Sequence, residues 1–169
     1  MRRSVLTFTA LALACGLAAC GKSSTQGQTA NTESTASEQP AAPAPTPAEL
    51  KAAQAKLPAP YDTADLANGE AKFALCQSCH TIVAGGPNMT GPNLHGVVGR
   101  KAGTAPNYSY SDAVKNAGFT WDAAHLDKWL SGPQADLPGT KMTFMGLKDP
   151  KDRTDVIAYL MVQSPPKTP

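Results

Sequence analysis

Two cysteines and a histidine, Cys76-Gln77-Ser78-Cys79-His80, close a helical pattern and lead directly into a segment poor in regular structure. From Thr81 to Tyr108 the chain carries Gly85-Gly86-Pro87, Gly91-Pro92 and Gly103, all loop punctuation. A loop of nearly thirty residues inside a compact domain is unusual and needs something to wrap around. Little protein is available for that purpose. Of ten aromatic residues, Phe8 lies in an N-terminal apolar run and nine lie between Tyr61 and Tyr159, so the core has 109 residues in which to form. A large apolar cofactor would supply the missing interior.

The C-x-x-C-H run is the attachment pattern for c-type haem. Two intervening residues over about one helical turn set both sulfurs to form thioethers with the vinyl groups of one porphyrin, and His80 then offers a ring nitrogen to the iron. Two other readings compete. A dithiol redox motif wants a βαβ context, which the pattern lacks. Half of a zinc site wants a second ligand pair, and no cysteine follows Cys79.

The N-terminus carries an address. Two arginines within Met1–Ser4 precede Val5–Ala19, an uncharged, largely apolar run of fifteen residues. That is short for a bilayer span of ~20 residues and fits a secretory signal over residues 1–19. Leu17-Ala18-Ala19-Cys20 resembles the lipobox of bacterial lipoproteins, which makes Cys20 the expected lipid attachment site. Cys15 fits less well, because Ala12 stands where Leu would be needed. An ordinary cleaved signal and an uncleaved anchor are the alternatives, and each exports the chain. Haem attachment outside the bacterial cytoplasm agrees with export. All four cysteines are then assigned, and none is left for a structural disulfide.

Residues 20–60 read as a lipidated N-terminus and a flexible linker rich in Ala, Pro, Ser and Thr, ahead of a folded domain over 61–169. As a coil, forty residues would average about 35 Å end to end. Within the linker, Thr46-Pro47-Ala48-Glu49 forms a capping box with Pro at the first helical position, predicting a short spacer helix over 47–57. The domain itself reads as all-α. A first helix is expected from about Ala64 to Leu75, a short one from the Ser111 cap to Ala117, and a third from Asp122 to Gly132-Pro133. Asp149 and Pro150 open the last helix, which places Val156, Ile157, Leu160 and Met161 at helical spacing.

Candidates for the iron's sixth position are Met142, Met145, His95 and His125. Pro138-Gly139-Thr140-Lys141-Met142 places a turn ahead of a thioether in irregular backbone, which favours Met142. Met145 reads as pocket packing, the histidines as surface groups, Met89 as packing or exposed, and Met161 as core.

At these residues the chain resembles the class I c-type cytochromes, most closely the mitochondrial type. Besides Cys76–His80, the matching pieces are Gly91-Pro92-Asn93-Leu94-His95-Gly96, Gly99-Arg100-Lys101, Tyr108-Ser109-Tyr110 and Phe119-Thr120-Trp121. Pro138–Met142 and Asp155–Leu160 complete the set, which runs in the family's order from about Asp65 to Val162. The resemblance implies short helices and long loops around one covalent haem c, with the first and last helices crossing where Gly69 and Phe73 meet Tyr159 and Leu160. It implies His80 and Met142 as axial ligands and the Pro92 carbonyl as partner of the other His80 nitrogen. Arg100, Tyr110 and Trp121 match positions that hold a buried haem propionate, and Thr140 matches another polar position in the pocket. Plain core packing is the competing reading for Trp121 and Tyr110.

The chain departs from the family at three points. Trp129 stands where a tyrosine hydroxyl usually reaches the axial sulfur, and an indole N–H can only donate. Val114 replaces an asparagine of the same buried water network, so together they imply a drier pocket. Residues 61–169 carry ten basic and ten acidic groups, where the mitochondrial relative has a strongly basic docking face. Lys72, Lys101, Lys141, Lys148 and Lys151 remain candidates for a cluster near the haem edge.

The function implied is a membrane-tethered, periplasmic one-electron carrier and not an enzyme, with no nucleic-acid partner and a monomeric state. Its formal charge of +2 gives no basic footprint for nucleic acid. The family's partners would be a membrane-bound quinol–cytochrome c reductase and a terminal oxidase. A single periplasmic dehydrogenase or nitrogen-oxide reductase is a variant of the same class. The alternative from another class is a peroxidase-like or gas-binding haem protein with a labile sixth ligand. Gly21 after the lipidated cysteine favours the outer membrane, whereas carriers of quinol-derived electrons serve the inner one. The reading therefore stops at a lipid anchor on the periplasmic side of a membrane.

Overall fold

The computed structural model describes residues 45–164. The signal segment, Cys15, Cys20 and most of the linker lie outside the described residues. Helices begin where a side-chain oxygen can take up an otherwise unpaired amide. Helix α1 (Pro47–Gln54) has the reciprocal Thr46–Glu49 box, α2 (Leu66–Phe73) is capped by Asp65, and α3 (Asp112–Lys115) by Ser111. Asp122 caps α4 (Ala123–Ser131), and Asp149 caps α6 (Pro150–Gln163). Between them α5 (Pro133–Asp136) is a single turn with Pro133 at its first position. Sequence reading took Gly132-Pro133 only as a stop. Proline suits a first helical position because its missing N–H has no partner to lose there, so the same residue also starts a new turn.

Three helices are shorter than their sequence patterns, α1 among them, which ends at Gln54 and not at 57. Beyond Phe73, Leu75 and Cys76 donate to carbonyls three residues back, at 3.1 and 2.8 Å, so α2 tightens into turns through the cysteine pair. Helix α3 ends at Lys115, and Gly118 adopts a left-handed φ of 77°. Among the described residues there is no strand, only an isolated antiparallel bridge between Lys101 and Thr120. Around it Gly99 and Ala102 donate to the carbonyls of Trp121 and Phe119, each at 2.9 Å, tying the long loop to the chain ahead of α4.

Helices α2 and α6 make the largest interhelix contact, and a glycine permits it. A Cβ on Gly69 would run into the carbonyl of Asp155. Close backbone approach brings Phe73 onto Tyr159, with ring centroids 5.4 Å apart and tilted by 41°. Phe73, Val156 and Ile157 are fully buried, and burial of each such side chain contributes about 1.5–3 kcal/mol. At the far end of α6 the Ser164 hydroxyl donates to Leu94 O at 2.9 Å and accepts from the Gly96 amide. The long loop is thus fastened to the same helix that packs on α2.

Helix α1 does not stand apart as a spacer. It packs on α6 and on the 3-10 turn Tyr61–Thr63, and Gln54 Nε2 donates to the carbonyls of Tyr61 and Ala64 at 3.2 and 2.6 Å. No residue of α1 is fully buried, so these contacts supply support that two turns of helix lack alone.

A polar network completes the crossing. Asp155, only 1 % exposed, accepts from the Asp65 amide at 2.9 Å, Asn68 Nδ2 at 2.7 Å and Lys151 Nζ at 2.6 Å. Burial pushes its carboxyl upward, but Lys151, Asn68 and the Asp65 amide outweigh that and hold it below its ordinary value of 3.8. A carboxylate held low in the folded state stabilises above its unfolded pKa, and that contribution is lost as pH falls through the folded value. Asp155→Ala is therefore expected to lose about 2–3 kcal/mol at neutral pH, because buried donors are left unpartnered. Denaturant unfolding of the haem-loaded protein should show that difference shrinking as the pH falls below 3.8.

Candidate functional site

The turn after α2 is built to present three reactive groups together. The carbonyl of Cys76 accepts from the amides of both Cys79 and His80, at 3.0 and 2.9 Å, which winds Cys76–His80 into one tight turn. The loop beyond is pinned to it, with Gly91 donating to Cys79 O and Leu94 to Thr81 O, each at 2.8 Å. Gly91 must be a glycine here, since a Cβ would overlap the His80 ring.

His80 Nδ1 lies 2.7 Å from the Pro92 carbonyl. A carbonyl can only accept, so Nδ1 carries the proton and Nε2 keeps its lone pair for a metal. Burial pushes the imidazole below its ordinary value, Arg100 adds in the same direction, and the Pro92 bond opposes both. The ring is thereby kept neutral, as a metal ligand must be. Burial beside Cys79 pushes the Cys76 thiol up to about 11. A dithiol oxidoreductase needs the opposite shift, whereas a thioether sulfur has no proton to lose. Among the described residues there is no group of three or more His, Cys, Asp or Glu that could hold a metal ion.

These groups open onto a cleft of about 330 Å³ between α2, α4, α6 and the long loops. Its walls are apolar, with Phe73, Leu126, Leu130, Val156 and Leu160 among them. Pro92, Arg100, Tyr110, Trp121 and Thr140 line the same cleft. Arg100 is held by its own bonds to His95 O and Asn93 O, at 3.2 and 3.1 Å. Burial raises the Tyr110 hydroxyl, with Arg100 opposing, so Tyr110 remains a donor near neutral pH. Trp121 stands edge-on to Trp129, with centroids 5.3 Å apart, and Val114 lies beside them on the lining.

Of the sixth-position candidates, only Met142 reaches this cleft. Met145 is 82 % exposed. His125 stacks on Phe119 at 4.3 Å near the surface, and His95 lies on a separate depression under the long loop. Met89 is exposed, and Met161 packs against the core. Of the five candidate lysines Lys141 lines the cleft, and three of the others have partners elsewhere. Lys72 pairs with Asp152 at 2.7 Å and Lys151 with Asp155, both on the α2–α6 crossing. Lys148 reaches Ser131 O.

The family model described as cytochrome c matches residues 66–164, more than half of the chain. The chain belongs to the cytochrome c family. A cytochrome c2 of Rhodomicrobium vannielii is 50 % identical over 103 residues, which cover 61 % of this chain and 82 % of that one. A cytochrome c of Kluyveromyces lactis is 45 % identical over 106 residues, covering 62 % and 96 %. Among solved structures, cytochrome cH from Methylobacterium extorquens superposes with a TM-score of 0.54 at 52 % identity, covering 57 % of this chain and 96 % of its own. As a cytochrome c, the protein carries one covalently bound haem c with its iron, has the all-α cytochrome c fold, and transfers electrons without being an enzyme. The cleft fits that group. It offers an apolar lining, paired sulfurs at the end of α2, a neutral imidazole, and a half-buried guanidinium for a carboxylate.

Sequence reading did not single out Gln134. Its side chain, from the unforeseen turn α5, donates to two carbonyls of the segment that carries Met142. The signal was Pro133 at a helix start, with a side chain following it that can donate two hydrogen bonds.

Proposed function

We propose that this cytochrome c is a membrane-tethered, periplasmic one-electron carrier with haem attached at Cys76 and Cys79 and its iron held by His80 and Met142. The observation that carries the ligand assignment is selection by place. Of four candidates for the sixth position, Met142 alone shares a cleft with His80. When bound, the haem supplies a one-electron couple, and methionine ligation favours its reduced state. The chain's own residues do the rest. The Pro92 carbonyl fixes the orientation of His80 and raises its basicity. Arg100, Tyr110 and Trp121 provide donors for a propionate that would be costly to bury unpaired, and Thr140 adds a hydroxyl. Trp129 and Val114 keep water from the ligand side. With both axial positions filled, no substrate has a place at the iron.

Residues 1–19 act as a signal in this reading, and Cys20 carries the lipid. Among the described residues no helix is long and apolar enough to cross a membrane, so attachment falls to that anchor. A tether replaces three-dimensional search by a high local concentration near membrane partners. That offsets the weak electrostatic steering expected of a nearly neutral domain. The partners are a quinol–cytochrome c reductase as donor and a terminal oxidase as acceptor.

The haem-loaded full chain, reduced and exposed to carbon monoxide, is expected to keep its visible spectrum, and Met142→Ala is expected to shift at once. A rapid shift in the unmodified protein would overturn the carrier reading in favour of a gas-binding or peroxidase-like one. For the tether, cell fractionation should find the native protein with membranes and Cys20→Ser in the soluble periplasmic fraction. Native protein in the soluble fraction would remove the anchor.

A further inference from the structure

The segment carrying Met142 is a sparsely supported part of the cleft wall. It runs over residues 138–146 without helix or strand. Backbone bonds pin it near its two ends, where the Thr140 amide donates to Leu137 O at 3.1 Å and the Leu147 amide to Leu130 O at 2.7 Å. Between those points, among the described residues, it makes no backbone–backbone hydrogen bond. The Met142 amide uses only a neighbouring hydroxyl, Thr140 Oγ1 at 3.3 Å, and Lys141 Nζ reaches out to Ser109 O at 3.0 Å.

Gln134 comes from outside the strap and holds the two carbonyls that bracket its ligand-bearing turn. Its Nε2 donates to Thr140 O at 3.0 Å and to Met142 O at 2.7 Å. A carboxamide nitrogen has two N–H groups, so both bonds are made at once. The mount is stiff. Pro133 is fully buried, the Leu137 amide closes the α5 turn on Pro133 O at 2.9 Å, and Asp136 pairs with Lys128 at 2.6 Å.

We propose that Gln134 is a positioning residue, clasping the 138–146 strap and setting how readily the Met142 sulfur leaves the iron. This rests on Met142 being the sixth ligand. For the sulfur to leave, the strap must swing away and both Gln134 bonds must break, so they favour the ligated state alone. A net protein hydrogen bond shifts an equilibrium roughly twofold to tenfold. Gln134 lies at the surface, where water competes, so the two bonds together should shift it about threefold to tenfold. An external ligand binds only the fraction with sulfur displaced, and its apparent affinity moves by the same factor.

The test titrates the ferric, haem-loaded full chain with imidazole while following the sulfur-to-iron absorption band. Gln134→Met keeps the length and removes the donors, Gln134→Ala removes them by truncation, and Gln134→Lys keeps donors on a flexible chain one bond longer. Gln134→Met and Gln134→Ala are expected to bind imidazole about threefold to tenfold more tightly than native, with Gln134→Lys within about twofold of native. If the two donor-less variants bind imidazole as native does, with the band intact, the clasp is overturned while Met142 stands as ligand. If Gln134→Lys gains affinity as much as Gln134→Met, hydrogen bonding is not the cause and the proposal fails. A native protein without the sulfur-to-iron band removes Met142 as ligand and the clasp with it.

Discussion

No side chain fits between α2 and α6 at Gly69, and most of the molecule follows from that contact. The backbones touch where a Cβ would meet the Asp155 carbonyl, so α2 lies on α6 with Phe73 driven into the core. Because α2 is fixed there, the turn that follows it has a fixed starting point, and the Cys76–His80 groups face one cleft. The same α6 forms part of the opposite wall through Val156 and Leu160, and Ser164, which caps its C-terminal end, fastens the long loop at Leu94 and Gly96. One close helix crossing thereby positions the attachment turn, a wall of the pocket and the loop that closes it.

Chemistry in the cleft depends on keeping charge out except where it is wanted. His80 is held neutral by burial, and its proton is directed to Pro92, away from the iron position. Arg100 is the cation brought inside, and it is fixed by backbone carbonyls and left to face an anion. Trp121 and Trp129 fill the remaining space with aromatic surface. An apolar, aromatic lining with few charges suits the electron transfer that the family carries out.

Much of this was legible in the sequence because it is written in local chemistry. Ser111, Asp122 and Asp149 each cap the helix that their position announced, the Thr46–Glu49 box is made in full, and Asp65, read as lying inside the first helix, caps it instead. The C-x-x-C-H spacing and the Pro-Gly turn ahead of Met142 announced the two ends of the site, and Arg100, Tyr110, Trp121 and Thr140 lie on the same cleft. What escaped depends on contacts between distant segments. Local pattern could not say that α1 docks on α6, since α1 has no buried face of its own. The pairing of Lys72 with Asp152 on α6 is likewise tertiary. Pro133 reads equally as a stop and as a start, so α5 and the reach of Gln134 were invisible until the strap was placed beside them.

X-ray absorption at the iron edge of the haem-loaded protein, recorded in both oxidation states, bears most directly on the central proposal that His80 and Met142 are the iron's ligands in the ferric and ferrous forms alike. The expected result is five nitrogens and one sulfur around the iron in the ferric and ferrous forms alike, with no change in coordination number. A ferrous iron with five neighbours, or a sixth shell lacking sulfur in either state, would contradict it.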